Sequence, residues 1–149
     1  MKLMEFFALE EIDLDITAEG KDDALKELIE LLSVTEKGDE LFRLLKKREN
    51  LGSTGIGKGV AIPHCRSLVV DRLRVAYGRK ADGLDFDAVD NLPVHHIFLI
   101  VAPPVEISNQ YLPVLGKIAQ FCKNPKNLQR LDEISSPEEF FRVLEQADV

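Results

Sequence analysis

The stretch Arg48-Glu-Asn-Leu-Gly-Ser-Thr-Gly-Ile-Gly-Lys-Gly-Val-Ala-Ile-Pro-His64 places four glycines, at 52, 55, 57 and 59, ahead of a short apolar run that stops at Pro63 and presents a histidine. Two chemistries fit such a segment. Gly52 to Lys58 matches the G-x-x-x-x-G-K spacing of a phosphate loop, but Gly59 stands where the magnesium-binding Ser or Thr belongs. Val60, Ala61, Ile62 and Pro63 then form a β-branched, proline-terminated run, whereas a nucleotide phosphate needs a helix N-terminus there. The second reading therefore leads: the glycines make tight turns and let the backbone pack closely around a reactive side chain at the end of a strand.

Pro63 contributes no ladder donor, fixes its own φ and holds Ile62 extended, so His64 is expected at a rigid strand end. An imidazole with the ordinary pKa of about 6.5 is mostly neutral near pH 7 and attacks phosphorus directly, without a separate base. The phosphoramidate it forms carries added negative charge and needs donors or cations nearby. Arg48, Ser53, Thr54 and the glycine amides are the local candidates. On residue type alone a single histidine is more often structural than catalytic, so both roles stay open at this point.

Other reactive residues attract simpler readings. His95 and His96 are adjacent on an extended run, so their side chains point to opposite faces and cannot easily share one metal ion. No metal and no cofactor is expected. Cys65 is read as a small buried thiol and Cys122 as core. Asp82, Asp85, Asp87 and Asp90 lack the spaced closing glutamate of an EF-hand and are expected in a solvated loop.

The elements that hold the histidine follow from hydrophobic period. Leu9 to Ile16 alternates as a half-buried strand does. Leu25, Leu28, Ile29 and Leu32 recur at helical spacing; Gly38 interrupts, and a second helical pattern runs through Leu41, Leu44, Leu45 and Arg48. After the glycine-rich, hairpin-like segment, strands are predicted over Arg72 to Lys80 and over the continuous apolar run Val94 to Val101. A third helix is predicted from about Ser108 to Cys122 with Pro113 in its first turns, then a short helix opened by Asn124 and Pro125. Ser136-Pro-Glu-Glu139 is a complete start signal for the last helix. Strands interleaved with helices, one strand covered on both faces, predict a single α/β domain over 1–149: a three-layer sandwich with a central mixed sheet and helices on both faces.

At 149 residues and 45% hydrophobic the chain can bury one substantial core. The net charge of −7, with no basic stripe, argues against nucleic acid. The apolar run Ile97 to Pro104 is far short of the roughly 20 residues of a spanning helix, so no membrane insertion is expected. The acidic start and the two unpaired cysteines suggest a cytoplasmic protein.

The run from Arg48 to His64 closely resembles the active-site segment of the fructose/mannitol-type IIA domains of the sugar phosphotransferase system, including their nitrogen-regulatory branch. The likeness extends to the opening Leu14-Asp-Ile16 segment and to Leu92-Pro-Val-x-x-Ile-Phe-Leu-Ile-Val-Ala-Pro103. It implies that His64 accepts phosphate from a phosphohistidine on a small HPr-like carrier protein, that Arg48 steadies the charge and that Thr54 lies close by. Family members usually carry a second histidine after the Ala-Pro strand. Tyr111 occupies that place here, where it can give one hydrogen bond to a phosphoryl oxygen but no positive charge. That departure favours regulatory target proteins over onward transfer to a IIB domain.

Overall fold

The computed structural model describes residues 1–106 and 109–149, and residue 35 by its backbone. Six strands form one mixed sheet: β1 (Ile12–Asp13), β2 (Gly55–Gly57), β3 (Val60–Ala61), β4 (His64–Arg66), β5 (Arg74–Leu84) and β6 (Val94–Ala102). Their order is β1-β5-β6-β3-β2, with β4 also paired to β6. The β5–β6 and β2–β3 pairs are antiparallel; β1–β5, β3–β6 and β4–β6 are parallel.

β6 is central, and its alternation divides the core. Ile97, Leu99 and Val101 join Ala61 and Ala76 against α1 (Lys21–Leu31) and α2 (Gly38–Asn50). Phe98, Ile100 and Ala102 join Val75 and Tyr77 against α3 (Tyr111–Cys122), α4 (Pro125–Glu133) and α5 (Pro137–Gln146). Both faces of β6 are therefore dry from Ile97 onward, which explains the unbroken apolar sequence of residues 97–102. The three-layer α/β architecture agrees with the sequence expectation.

Several boundaries differ from those predicted. The strand expected over Leu9 to Ile16 is reduced to Ile12–Asp13, because Leu9–Glu11 winds into a 3₁₀ turn and the Asp13 carboxylate takes the Asp15 amide at 2.9 Å. Buried Glu11 reaches Arg74 at 2.7 Å. Gly38 does not break a helix but begins α2; the break falls at Ser33, in the left-handed region at φ 57°. β5 continues past Lys80 to Leu84 through an irregularity in its pairing with β6, so Asp82 lies in a strand rather than a loop. α3 begins at Tyr111, which puts Pro113 in its first turn; the predicted start at Ser108 lies outside the described residues. α4 and α5 start where their Asn-Pro and Ser-Pro signals place them.

The glycine-rich segment is a hairpin. Lys58 (φ 59°) and Gly59 (φ 80°) form its two-residue turn, with both central residues left-handed as such a turn requires. Gly55 is fixed by space instead: a Cβ there would lie 2.8 Å from the Ala88 Cα. β3 and β4 are one strand interrupted at Pro63. Ile62 N–H turns away from β6 to the Thr54 carbonyl at 3.0 Å, and Pro63, lacking an N–H, accepts from Ile100 at 3.0 Å.

Gly55→Ala is expected to lower stability by about 1–3 kcal/mol through overpacking against the Ala88 backbone. Urea unfolding should show a lower midpoint with an unchanged slope; an unchanged midpoint would contradict the close approach.

Candidate functional site

His64 opens β4, half-buried, with Nδ1 2.7 Å from the Ile62 carbonyl oxygen. A carbonyl only accepts, so Nδ1 carries the proton and the lone pair lies on Nε2. The Ile62 carbonyl thus selects the tautomer.

Tyr111, the first residue of α3, faces this ring with centroids 6.2 Å apart and planes tilted by 58°. Its position is fixed by Glu106, whose carboxylate accepts the Gln110 and Tyr111 amides at 2.9 and 3.0 Å at the start of the helix. The phenol is buried, and burial pushes its pKa up to about 12; Cys65 adds to the rise, while Arg66 and Arg48 oppose it. It remains a hydrogen-bond donor throughout the neutral range.

Arg66 is a member of the site that motif reasoning missed. Its guanidinium lies 4.5 Å from the Tyr111 ring centroid and its Nη1 donates to the Pro103 carbonyl at 3.1 Å. The signal was available: Arg66 is two residues beyond His64 on one strand and so shares its face. Arg48, in the last turn of α2, donates from Nη1 to the Gly52 carbonyl at 2.9 Å.

The two hydroxyl residues are used differently. Ser53 Oγ donates to the Phe86 carbonyl at 2.7 Å and accepts from the Gly55 amide at 3.0 Å. Thr54 is buried, and both its amide (3.0 Å) and its hydroxyl donate to the Glu49 carboxylate. Glu49 is itself buried and paired with Lys21 Nζ at 3.0 Å. The structure therefore gathers His64, Tyr111 and Arg66 around one face with Arg48 beside them, and turns the Ser53 and Thr54 hydroxyls into the scaffold. Glu49 and Lys21 gave no periodic signal, since each sits among charged helix residues of ordinary appearance.

The remaining reactive residues lie elsewhere. His96 is buried, with Nδ1 2.7 Å from the Tyr77 hydroxyl and Nε2 2.9 Å from Asp132. His95 directs Nδ1 to the Lys80 and Ala81 carbonyls. Among the described residues no group of three or more His, Cys, Asp or Glu could hold a metal ion. Burial pushes the Cys65 and Cys122 thiols up to about 12, so neither is a ready thiolate. Asp90 accepts the Lys58 and Leu92 amides, bonds that hold its carboxyl below the usual range. No helix among the described residues is long and apolar enough to cross a membrane.

A histidine held at a strand end over a two-sided α/β sheet defines the class, and comparison with known proteins defines the family. Residues 5–147 match the family described as phosphoenolpyruvate-dependent sugar phosphotransferase system, EIIA 2, and the chain belongs to it. It is 28% identical over 99% of its length to the PTS system fructose-specific EIIABC component of Bacillus subtilis, of which it spans 24%. It is also 28% identical over 99% of its length to a nitrogen regulatory protein homolog of Haemophilus influenzae, of which it spans 93%. Among solved structures, the nitrogen regulatory protein IIA-Ntr of Neisseria meningitidis superposes with a TM-score of 0.87 at 34% identity, covering 94% of this chain and 97% of that one.

The buried His96 yields a pH prediction. Burial lowers its pKa from 6.5 to about 4, against the opposing pull of Asp132. As pH falls below about 6.5 the unfolded chain takes up a proton that the folded one refuses, so stability present above that value is lost toward pH 4. The urea midpoint should fall between pH 7 and pH 5, and fall less steeply in His96→Gln; equal slopes would contradict this assignment.

Proposed function

We propose that the protein is a cytoplasmic phosphohistidine carrier that accepts a phosphoryl group on Nε2 of His64 from an HPr-like protein and reports its phosphorylation state to target proteins. The observation that carries this reading is the His64 ring itself: its Nδ1–H is tied to the Ile62 carbonyl, which leaves the electron pair on Nε2, and the ring faces Tyr111, over which the Arg66 guanidinium lies.

The Nε2 lone pair attacks the phosphorus of the donor phosphohistidine. The donor N–P bond breaks, its electron pair returns to the donor ring, and that ring departs as neutral imidazole because its other nitrogen holds a proton. His64 keeps its own Nδ1 proton. The positive charge that develops on the newly phosphorylated ring is stabilised through Nδ1–H by the Ile62 carbonyl dipole. Around the phosphoryl oxygens, Arg66 and Arg48 supply charge and Tyr111 supplies a hydroxyl donor.

A protein is the better partner class. Exposed Leu51, Leu68 and Leu112 each lie within three residues of Arg48, Arg66 or Tyr111 along the chain and offer apolar contact to a partner. Phosphorylation then adds about two negative charges to that surface, enough to make or break docking. Tyr111 in the place of the family's usual second histidine supports a regulatory output, as does the likeness to nitrogen regulatory proteins. A sugar-pathway role, with transfer to a IIB domain, draws on the likeness to the fructose-specific component.

Incubation with a phosphorylated HPr-like donor is expected to place acid-labile label on the wild type and none on His64→Ala. Arg66→Ala should slow labelling by about tenfold or more. No label on the wild type, with a donor active on another acceptor, would contradict the carrier function. Rapid chase of the label onto a IIB domain would favour the sugar pathway.

A further inference from the structure

Consecutive residues of α2 grip the two ends of the short loop that precedes β2. Arg48 donates to the Gly52 carbonyl, and Glu49 accepts both the amide and the hydroxyl of Thr54. The Thr54 carbonyl then accepts the Ile62 N–H at 3.0 Å, and the Ile62 carbonyl accepts His64 Nδ1–H at 2.7 Å. An uninterrupted series of hydrogen bonds thus runs from a buried carboxylate to the imidazole.

The Glu49 side chain is 1% exposed, and the Lys21 ammonium that neutralises it is 12% exposed. Burying such a pair is expensive in desolvation, and a well-packed apolar pair commonly gives a fold equal stability. Its geometry is more informative than its energy. The carboxylate holds the amide and hydroxyl of Thr54 together, and the carbonyl of the same residue takes the Ile62 N–H. Ile62 is then held on both sides, by that carbonyl at its N–H and by the Pro63 ring at its C=O.

We infer that Glu49, neutralised by Lys21, is a positioning residue that sets the tautomer and aim of His64 through Thr54 and Ile62. The inference rests on the phosphocarrier reading for its kinetic consequence but not for its structural one. Glu49 touches no reacting atom. Replacing its carboxylate by an amide leaves no acceptor for one of the two Thr54 donors and removes the charge that Lys21 pairs with.

Two readouts test it on the full chain. In unphosphorylated Glu49→Gln, long-range 1H–15N spectra of the imidazoles should show His64 leaving the single Nδ1–H form for a mixture of both tautomers. With a phosphorylated HPr-like donor, the maximal transfer rate should fall about tenfold or more while the donor concentration for half-maximal rate stays unchanged. A wild-type tautomer and wild-type rate in folded Glu49→Gln would overturn the inference. If Glu49→Gln does not fold, Thr54→Val removes the hydroxyl alone; it should shift the tautomer in the same direction, and an unshifted spectrum would overturn the inference. Failure of the wild type to accept phosphate would contradict the carrier function while the tautomer shift still decides the role of Glu49.

Discussion

The hydrogen bond from His64 Nδ1 to the Ile62 carbonyl is the constraint on which the site depends. It converts an imidazole with two interchangeable nitrogens into one with a fixed donor and a fixed lone pair. The bond spans only two residues, so the histidine side chain reaches back along its own strand, whose register with β6 is the same before and after Pro63. Pro63 has no N–H to give the ladder, though its carbonyl accepts the Ile100 N–H, and it separates β3 from β4.

A local contact of this kind stays put only if both sides are anchored. On one side, parallel pairing of β4 with β6 sets His64 opposite Ile100, whose neighbours are buried on both faces of the sheet. On the other, the β2–β3 hairpin lies tight against Ala88, which is possible because Gly55 has no side chain. The sheet thus acts as the rigid frame, and the helices bring groups to it. α2 contributes Arg48 and Glu49 from its last turn, and α3 contributes Tyr111 from its first. Functional groups concentrate at helix ends because only there can a side chain approach the strand end without crossing the packed layer between them.

Much of this was legible in the sequence where a local rule was decisive. The apolar run 97–102 of β6, the Ser-Pro-Glu-Glu start of α5 and the Gly-Ile-Gly-Lys-Gly hairpin each encode their structure within a few residues. Where the sequence misled, a long-range contact had overridden the local pattern. Leu9 to Ile16 alternates as a strand does, yet Glu11 turns inward to meet Arg74, 63 residues away. Ser33 takes the helix break that Gly38 was expected to make. Asp82 reads as loop, but pairing with β6 extends the strand beyond it.

The site divides in the same way. His64 and its glycine-rich approach stand out by spacing, and Arg66 could have been found from strand period. The bonds of Ser53 and Thr54 could not, because a sequence shows a hydroxyl near a histidine but not the Phe86 carbonyl or the Glu49 carboxylate that it meets. Glu49 and Lys21 were illegible for the opposite reason: charged residues on helices are expected in water, and only the tertiary fold reveals the pair as buried.

The most direct test of the account is the position of phosphorus on the His64 ring in the phosphorylated wild type, read from 15N shifts and 31P–15N coupling. The geometry predicts phosphorus on Nε2 with the proton retained on Nδ1. Phosphorus on Nδ1 would mean that the Ile62 carbonyl does not select the nucleophile, and would contradict the account at its base.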